Sequence, residues 1–146
     1  MAVQTTAPRP VPPPLRHPES DSDPLLQLVG DVHTAHTLII APHSLDLMCG
    51  LLRRGCPAAT ALRQSAKPDM DSYDLVVAEL ELGRVPPEAL VQRIRGALAH
   101  KGRLVARLAA GPAAAGFIRR LRLNGFSVTQ IACPPQQILV RANRRT

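Results

Sequence analysis

The chain has 146 residues, 45% of them apolar, and a formal net charge of +7, enough for one domain with a core of its own. Its aromatic residues are Tyr73, Phe117 and Phe126, with no tryptophan, so that core is aliphatic. No apolar run approaches the roughly 18–20 residues of a membrane span, and prolines stand where a secretory leader would be apolar, so a cytoplasmic protein is expected.

The segment 1–23 carries Pro8, Pro10, Pro12, Pro13, Pro14 and Pro18, then the acidic run "ESDSD". It has too little apolar surface to offset its ordering entropy and is expected to be a disordered tail. The ordered domain is expected over 24–146. Asp23 can cap a helix whose first residue is Pro24. Leu25, Leu28, Val29 and Val32 follow at helical spacing, which predicts a helix to about His36. "TLIIA" (37–41) reads as a buried strand. Ser44 is the expected cap of a helix over 45–54 that is apolar nearly all round, as if covered on more than one side, and stops at Gly55.

"AATALR" (58–63) reads as a short strand, and "YDLVVAEL" (73–80) as the interior of a parallel sheet. Pro87, with Glu88 beside the positive end of the dipole, opens a helix to about Ala99. Leu90, Ile94, Ala97 and Leu98 are expected inward, with Arg93 and Arg95 outward. "GRLVARLA" (102–109) is the next strand. Pro112 opens the last helix, with Ala114, Phe117, Ile118 and Leu121 inward and Arg119, Arg120 and Arg122 outward. Asn124-Gly125 ends it. "FSVTQIA" and "QILVRAN" are joined by only "CPPQ", too short for a parallel crossover, so they form an antiparallel hairpin.

Strands alternating with helices imply a three-layer α/β domain with a mostly parallel sheet. The segments "TLIIAPHSLDL", "YDLVVAEL", "LVQRIRGALAHKGRLVARL" and "FIRRLRLNGFSVTQI", with "ILVRA" closing, occur in this order. Together they resemble the Rossmann-like fold of class I S-adenosylmethionine-dependent methyltransferases over about residues 25–145. The resemblance implies strand order 2-1-4-5-7-6 in the family's numbering, with strand 7 antiparallel and strand 3 missing, because 63–73 is too short for the usual excursion.

The same resemblance locates the cofactor, and there the residues depart from the family. Ile39 stands near the usual acidic place, and Ala41, Pro42 and His43 replace a glycine-rich turn. Glycines there allow positive φ and close ligand approach. At the end of strand 2, where an acidic residue would hold the ribose hydroxyls, the chain reads Arg63-Gln64. Ala41, Pro42, His43, Ser44, Gln64 and Glu79 thus mark a vestigial cofactor site, and no bound cofactor is expected. The "AELELGRVPPE" stretch lacks the family's Asn/Asp-Pro-Pro-aromatic motif, so no catalytic residue is assigned.

Other constellations carry less. His33, His36 and His43, with Cys49 nearby, have no carboxylate or further ligand at a compelling metal-site spacing, and adjacent His43 and Ser44 do not make a nucleophile–base pair. A receiver-like domain would need an acidic pair after the first strand and an aspartate near Ala78 and Glu79. Cys49, Cys56 and Cys133 form no CxxC pair and read as buried reduced thiols. Charge is the remaining signal: residues 1–83 hold six basic against ten acidic side chains, and 84–146 hold twelve against one, Glu88. Arg119, Arg120, Arg122, Arg141, Arg144 and Arg145 form the candidate partner-binding set. The expectation is a non-catalytic interaction or regulatory module with an acidic protein partner, and a homodimer if the bare edge of strand 2 is covered by a second copy. The alternatives are an active methyltransferase with an atypical turn and a nucleic-acid-binding accessory protein. The near absence of aromatics disfavours single-strand stacking.

Overall fold

A computed structural model describes residues 23–64, 66–83, 85–133 and 136–145. The tail predicted over 1–23 lies outside these but for Asp23. The elements in chain order are α1 (Pro24–Gln27), β1 (His36–Ile40), α2 (Ser44–Arg53), β2 (Ala58–Leu62), β3 (Tyr73–Glu79), α3 (Pro87–Ala97), β4 (Leu98–Ala109), α4 (Pro112–Leu123), β5 (Phe126–Cys133) and β6 (Gln137–Arg144). The six described strands form one sheet of order β2-β1-β3-β4-β6-β5. The β2–β1, β1–β3 and β3–β4 pairs are parallel, and β6 runs antiparallel to both β4 and β5. This is the order implied by the resemblance, with the chain passing from β2 to β3 through a loop.

The continuous apolar run of β3 fits its central place, because a parallel strand covered on both faces has no polar side to show. Leu75 and Val77 point into one core with Leu25, Leu26, Ile39, Leu47 and Leu51. Val76 and Ala78 point into the other with Leu90, Ile94, Phe117 and Phe126. Thus α1 and α2 cover one face and α3 and α4 the other. Few rings serve the aliphatic core: Phe117 and Phe126 are fully buried, and Tyr73 is buried in the same cluster.

Four local expectations are corrected. The first helix is a single turn, ending at Gln27 with Leu28 as its C-cap. Gly30 adopts φ +69°, which ends any helical path. Leu25, Leu26, Val29, Val32 and Ala35 are still buried, so the apolar spacing reflects an irregular strap laid over the sheet. Arg103 Nη2 holds that strap by donating to the carbonyls of Val29 (2.7 Å) and Asp31 (2.6 Å).

Ser44 is not the cap of α2. The helix begins one residue earlier than predicted, so Ser44 lies inside its first turn and His43 is the N-cap, with no side-chain capping bond. Nor is α2 covered on several sides: it buries Leu47, Gly50 and Leu51, while Leu45 is 72% and Leu52 50% exposed. Cys49 is half-buried rather than buried, and Cys56 is buried, its Sγ 3.3 Å from the Thr37 hydroxyl.

Candidate functional site

In an open parallel sheet the ligand crevice lies beyond the carboxyl ends of the strands. Here the ends of β1, β2 and β3 border a cleft of about 370 Å³ lined by Ala41, Pro42, Arg63, Gln64, Glu79, Glu81 and Val85. Of the six residues expected to mark a vestigial site, Ala41, Pro42, Gln64 and Glu79 converge on this cleft. His43 lines a smaller adjoining hollow of about 170 Å³ with Asp23, Leu26, Asp46, Leu47, Glu79 and Arg107. Ser44 lines neither.

Two polar arrangements occupy the rim. The first is a clasp between the end of β2 and the loop after β3. Gln64 Nε2 donates to the Glu81 carbonyl (2.9 Å), and Gln64 Oε1 accepts from the Glu81 N–H (2.9 Å). Arg93, from α3, donates to the Gln64 carbonyl (3.0 Å). Arg93 is therefore half-buried and engaged, whereas Arg95 is exposed as expected.

The second arrangement joins three charges. Arg107, beside Glu79 in the β3–β4 register, contacts Asp23 Oδ1 at 2.8 Å and Glu79 Oε2 at 3.0 Å. Burial pulls the Arg107 guanidinium down, but the hydrogen bonds and charges of Asp23 and Glu79 outweigh it and its pKa is raised. Asp23 also accepts from the Leu25 N–H at 2.9 Å, so one carboxylate caps α1 and ties the entry of the domain to the sheet's carboxyl edge. Sequence reasoning singled out Glu79 but missed Arg107 and Asp23 as its partners. Eighty-four residues separate the two, and no spacing signal links them.

The six arginines expected to bind a partner do not form one patch. Arg119, Arg120 and Arg122 are exposed on α4, with Arg120 3.9 Å from Glu88. Val140 and Ala142 face the α3/α4 core and Leu139 the α1/α2 core, so Arg141 alternates onto the sheet face opposite α4. Arg144 is largely covered, donating to the Leu98 carbonyl at 2.6 Å, and Arg145 donates to the Phe126 carbonyl at 3.3 Å. His33 bonds Asp31 at 2.8 Å and His36 packs on Tyr73 with ring centroids 4.7 Å apart. Among the described residues, no group of three His, Cys, Asp or Glu side chains is placed to hold a metal, and no helix is long and apolar enough to cross a membrane.

No protein-family profile matches the sequence, and no curated protein matches it. Solved structures do match the fold. The chain is similar to an S-adenosylmethionine-dependent methyltransferase from Mesorhizobium loti (TM-score 0.71, 13% identity, covering 86% of this chain and 98% of that one). It is also similar to the ribosomal protein L11 methylase of Lactobacillus delbrueckii subsp. bulgaricus (TM-score 0.68, 14% identity, covering 84% and 77%). At these identities the likeness establishes the fold: a class I methyltransferase-like Rossmann sheet.

The fold implies S-adenosylmethionine, and the residues at its place do not fit that group. Among the described residues, those in the left-handed region are Gly30, Gly55, Asp71, Lys101, Gly111, Gly125 and Gln136, so the turn after β1 has none. Its Ala41 and Pro42 carry side chains into the cleft wall. Ile39 is fully buried in the core and offers no acceptor. Arg63 presents only donors where the family's carboxylate would accept from both ribose hydroxyls, and both ends of the Gln64 amide are engaged by Glu81.

Proposed function

We propose that this chain is a non-catalytic, cytoplasmic methyltransferase-fold module that binds an acidic protein partner through its arginine-rich half. The observation that carries the reading is the Gln64–Glu81 clasp. The amide expected to face a ribose instead links β2 to the β3–α3 loop, across the end of the cleft. The exposed cations of the second half support the partner's sign. The side chains of Arg119, Arg122 and Arg141 carry no ion pair or hydrogen bond to a described residue, unlike those of Arg107, Arg120 and Arg144.

Thermal unfolding with and without millimolar S-adenosylmethionine or S-adenosylhomocysteine tests it. A ligand at about 100 times its dissociation constant stabilises by roughly 2.7 kcal/mol, which raises the midpoint of a domain this size by several degrees. No shift is expected. A saturable rise would overturn the non-catalytic reading in favour of a methyltransferase with an atypical turn.

A further inference from the structure

The β5 strand is an outer strand of the sheet: it pairs with β6 on one side, and no described strand lies on the other. Its eight residues, Phe126–Cys133, contain no charge and no proline. Proteins guard long free edges with those very features, because the outward N–H and C=O groups of an edge strand template pairing with another chain. Nothing of the kind guards β5. Thr129, Gln130, Ile131 and Ala132 are all exposed, Ile131 at 43%.

The surroundings select the occupant by charge. Arg141 lies opposite Thr129 in the β5–β6 register, is exposed, and shares its sheet face with Thr129 and Ile131 by alternation. Arg145 sits at the start of β5, with its guanidinium on the Phe126 carbonyl. A strand added to β5 would lie about 4.8 Å from it and about twice that from β6, a gap that a long arginine and a glutamate side chain bridge by leaning toward each other. A second copy of this chain would bring Arg141 and Arg145 of both molecules to one seam, from a half with twelve basic side chains against one acidic. Across that seam the two Arg141 side chains would lie three strand spacings apart, roughly 14 Å, too far to repel strongly at physiological salt, but neither would meet a carboxylate. An extended segment bearing carboxylates has the complementary sign.

We propose that the free edge of β5 is a docking site for an extended acidic peptide, which adds to the sheet as a strand with its carboxylates beside Arg141 and Arg145. The proposal rests on the interaction-module reading and supplies its surface. Backbone pairing gives the affinity, and the arginines give the selectivity for acidic side chains.

The test uses the full chain, isotope-labelled, titrated at low salt with a ten-residue peptide alternating Thr and Glu. Two further peptides serve as controls: one alternating Thr and Lys, and the acidic peptide N-methylated at alternate residues, which keeps the charge and blocks strand pairing. The expected result is saturable amide shifts and slowed hydrogen exchange centred on Thr129–Ala132 with the first peptide alone. Binding should weaken at least about tenfold in Arg141→Glu and in Ile131→Lys, which adds a guarding charge to the edge. Equal binding of the N-methylated peptide, a footprint on α4, no saturable footprint, or a dimer of the free chain protected along β5 would each overturn the proposal. Failure of the module reading is scored separately: a peptide footprint on β5 in a chain that S-adenosylmethionine stabilises would refute the non-catalytic role and leave the edge site standing.

Discussion

Replacing Arg107 with methionine is the most informative perturbation of the carboxyl edge. It keeps much of the aliphatic stem but removes the only charge between Asp23 and Glu79. The side chains of the three residues are 17%, 19% and 31% exposed, between the exposed pairs worth about 0–1 kcal/mol and the buried ones whose breakage costs about 3–5. We expect a loss of about 2–3 kcal/mol, because two carboxylates are left facing each other. With an unfolding entropy of about 2.1 cal/mol/K per residue over about 120 ordered residues, the midpoint should fall by roughly 8–12 °C. Thermal unfolding at neutral pH reads this directly. Asp23→Ala alone loses the ion pair and the α1 cap together. Combined with Arg107→Met it removes the carboxylate pair, so the double variant should be less destabilised than the sum of the singles. A drop of under about 2 °C for Arg107→Met, or strict additivity, would refute the view that Arg107 holds the N-terminal entry to the sheet.

Two glycines should respond in opposite directions. Gly55 has φ +92°, and a Cβ there would stand 2.7 Å from the His33 ring, so Gly55→Ala should cost at least about 1–2 kcal/mol and lower the melting midpoint by several degrees. Gly116 lies within α4 with open space where a Cβ would be, and Gly116→Ala should stabilise by about 0.4–1 kcal/mol. The Asp31 carboxyl is lowered from its ordinary value of 3.8, first by the His33 backbone N–H and then by the His33 ring. Its contribution to stability is therefore present above the unfolded value and lost as pH falls through the lower folded one. An NMR titration should find it depressed in the native chain and still depressed in His33→Ala, since the backbone donor remains.

The sheet was legible because its signals are additive along the chain. Continuous β-branched runs, helix starts at Pro87 and Pro112 and a four-residue connection before "QILVRAN" leave little topological freedom. The first helix was over-read because Leu25, Leu28, Val29 and Val32 satisfy helical spacing, although Gly30 in their midst was a visible stop signal. The apolar residues of α2 were over-read as well. Leu45 and Leu52 are apolar without being covered, and apolarity predicts burial only in one direction. In the site, the substituted turn was readable from residue types. The bonding of Gln64 and Arg107 was not, since it depends on which carbonyls and carboxylates the β2–β3 loop and the β3–β4 register bring within about 3 Å.

Those two bonding patterns bear on function together. A cleft built for a ligand keeps polar groups aimed into it, at a cost of about 1–3 kcal/mol for each that burial leaves unsatisfied when the ligand is away. At this carboxyl edge several polar groups are matched from within the chain: both ends of the Gln64 amide by Glu81, the guanidinium of Arg107 by Asp23 and Glu79, and the main-chain carbonyl of Gln64 by Arg93. On the non-catalytic reading proposed above, the clasp, the Ala41-Pro42 turn and Arg63 each disfavour S-adenosylmethionine, so a variant that reverses any one of them alone should still not bind it.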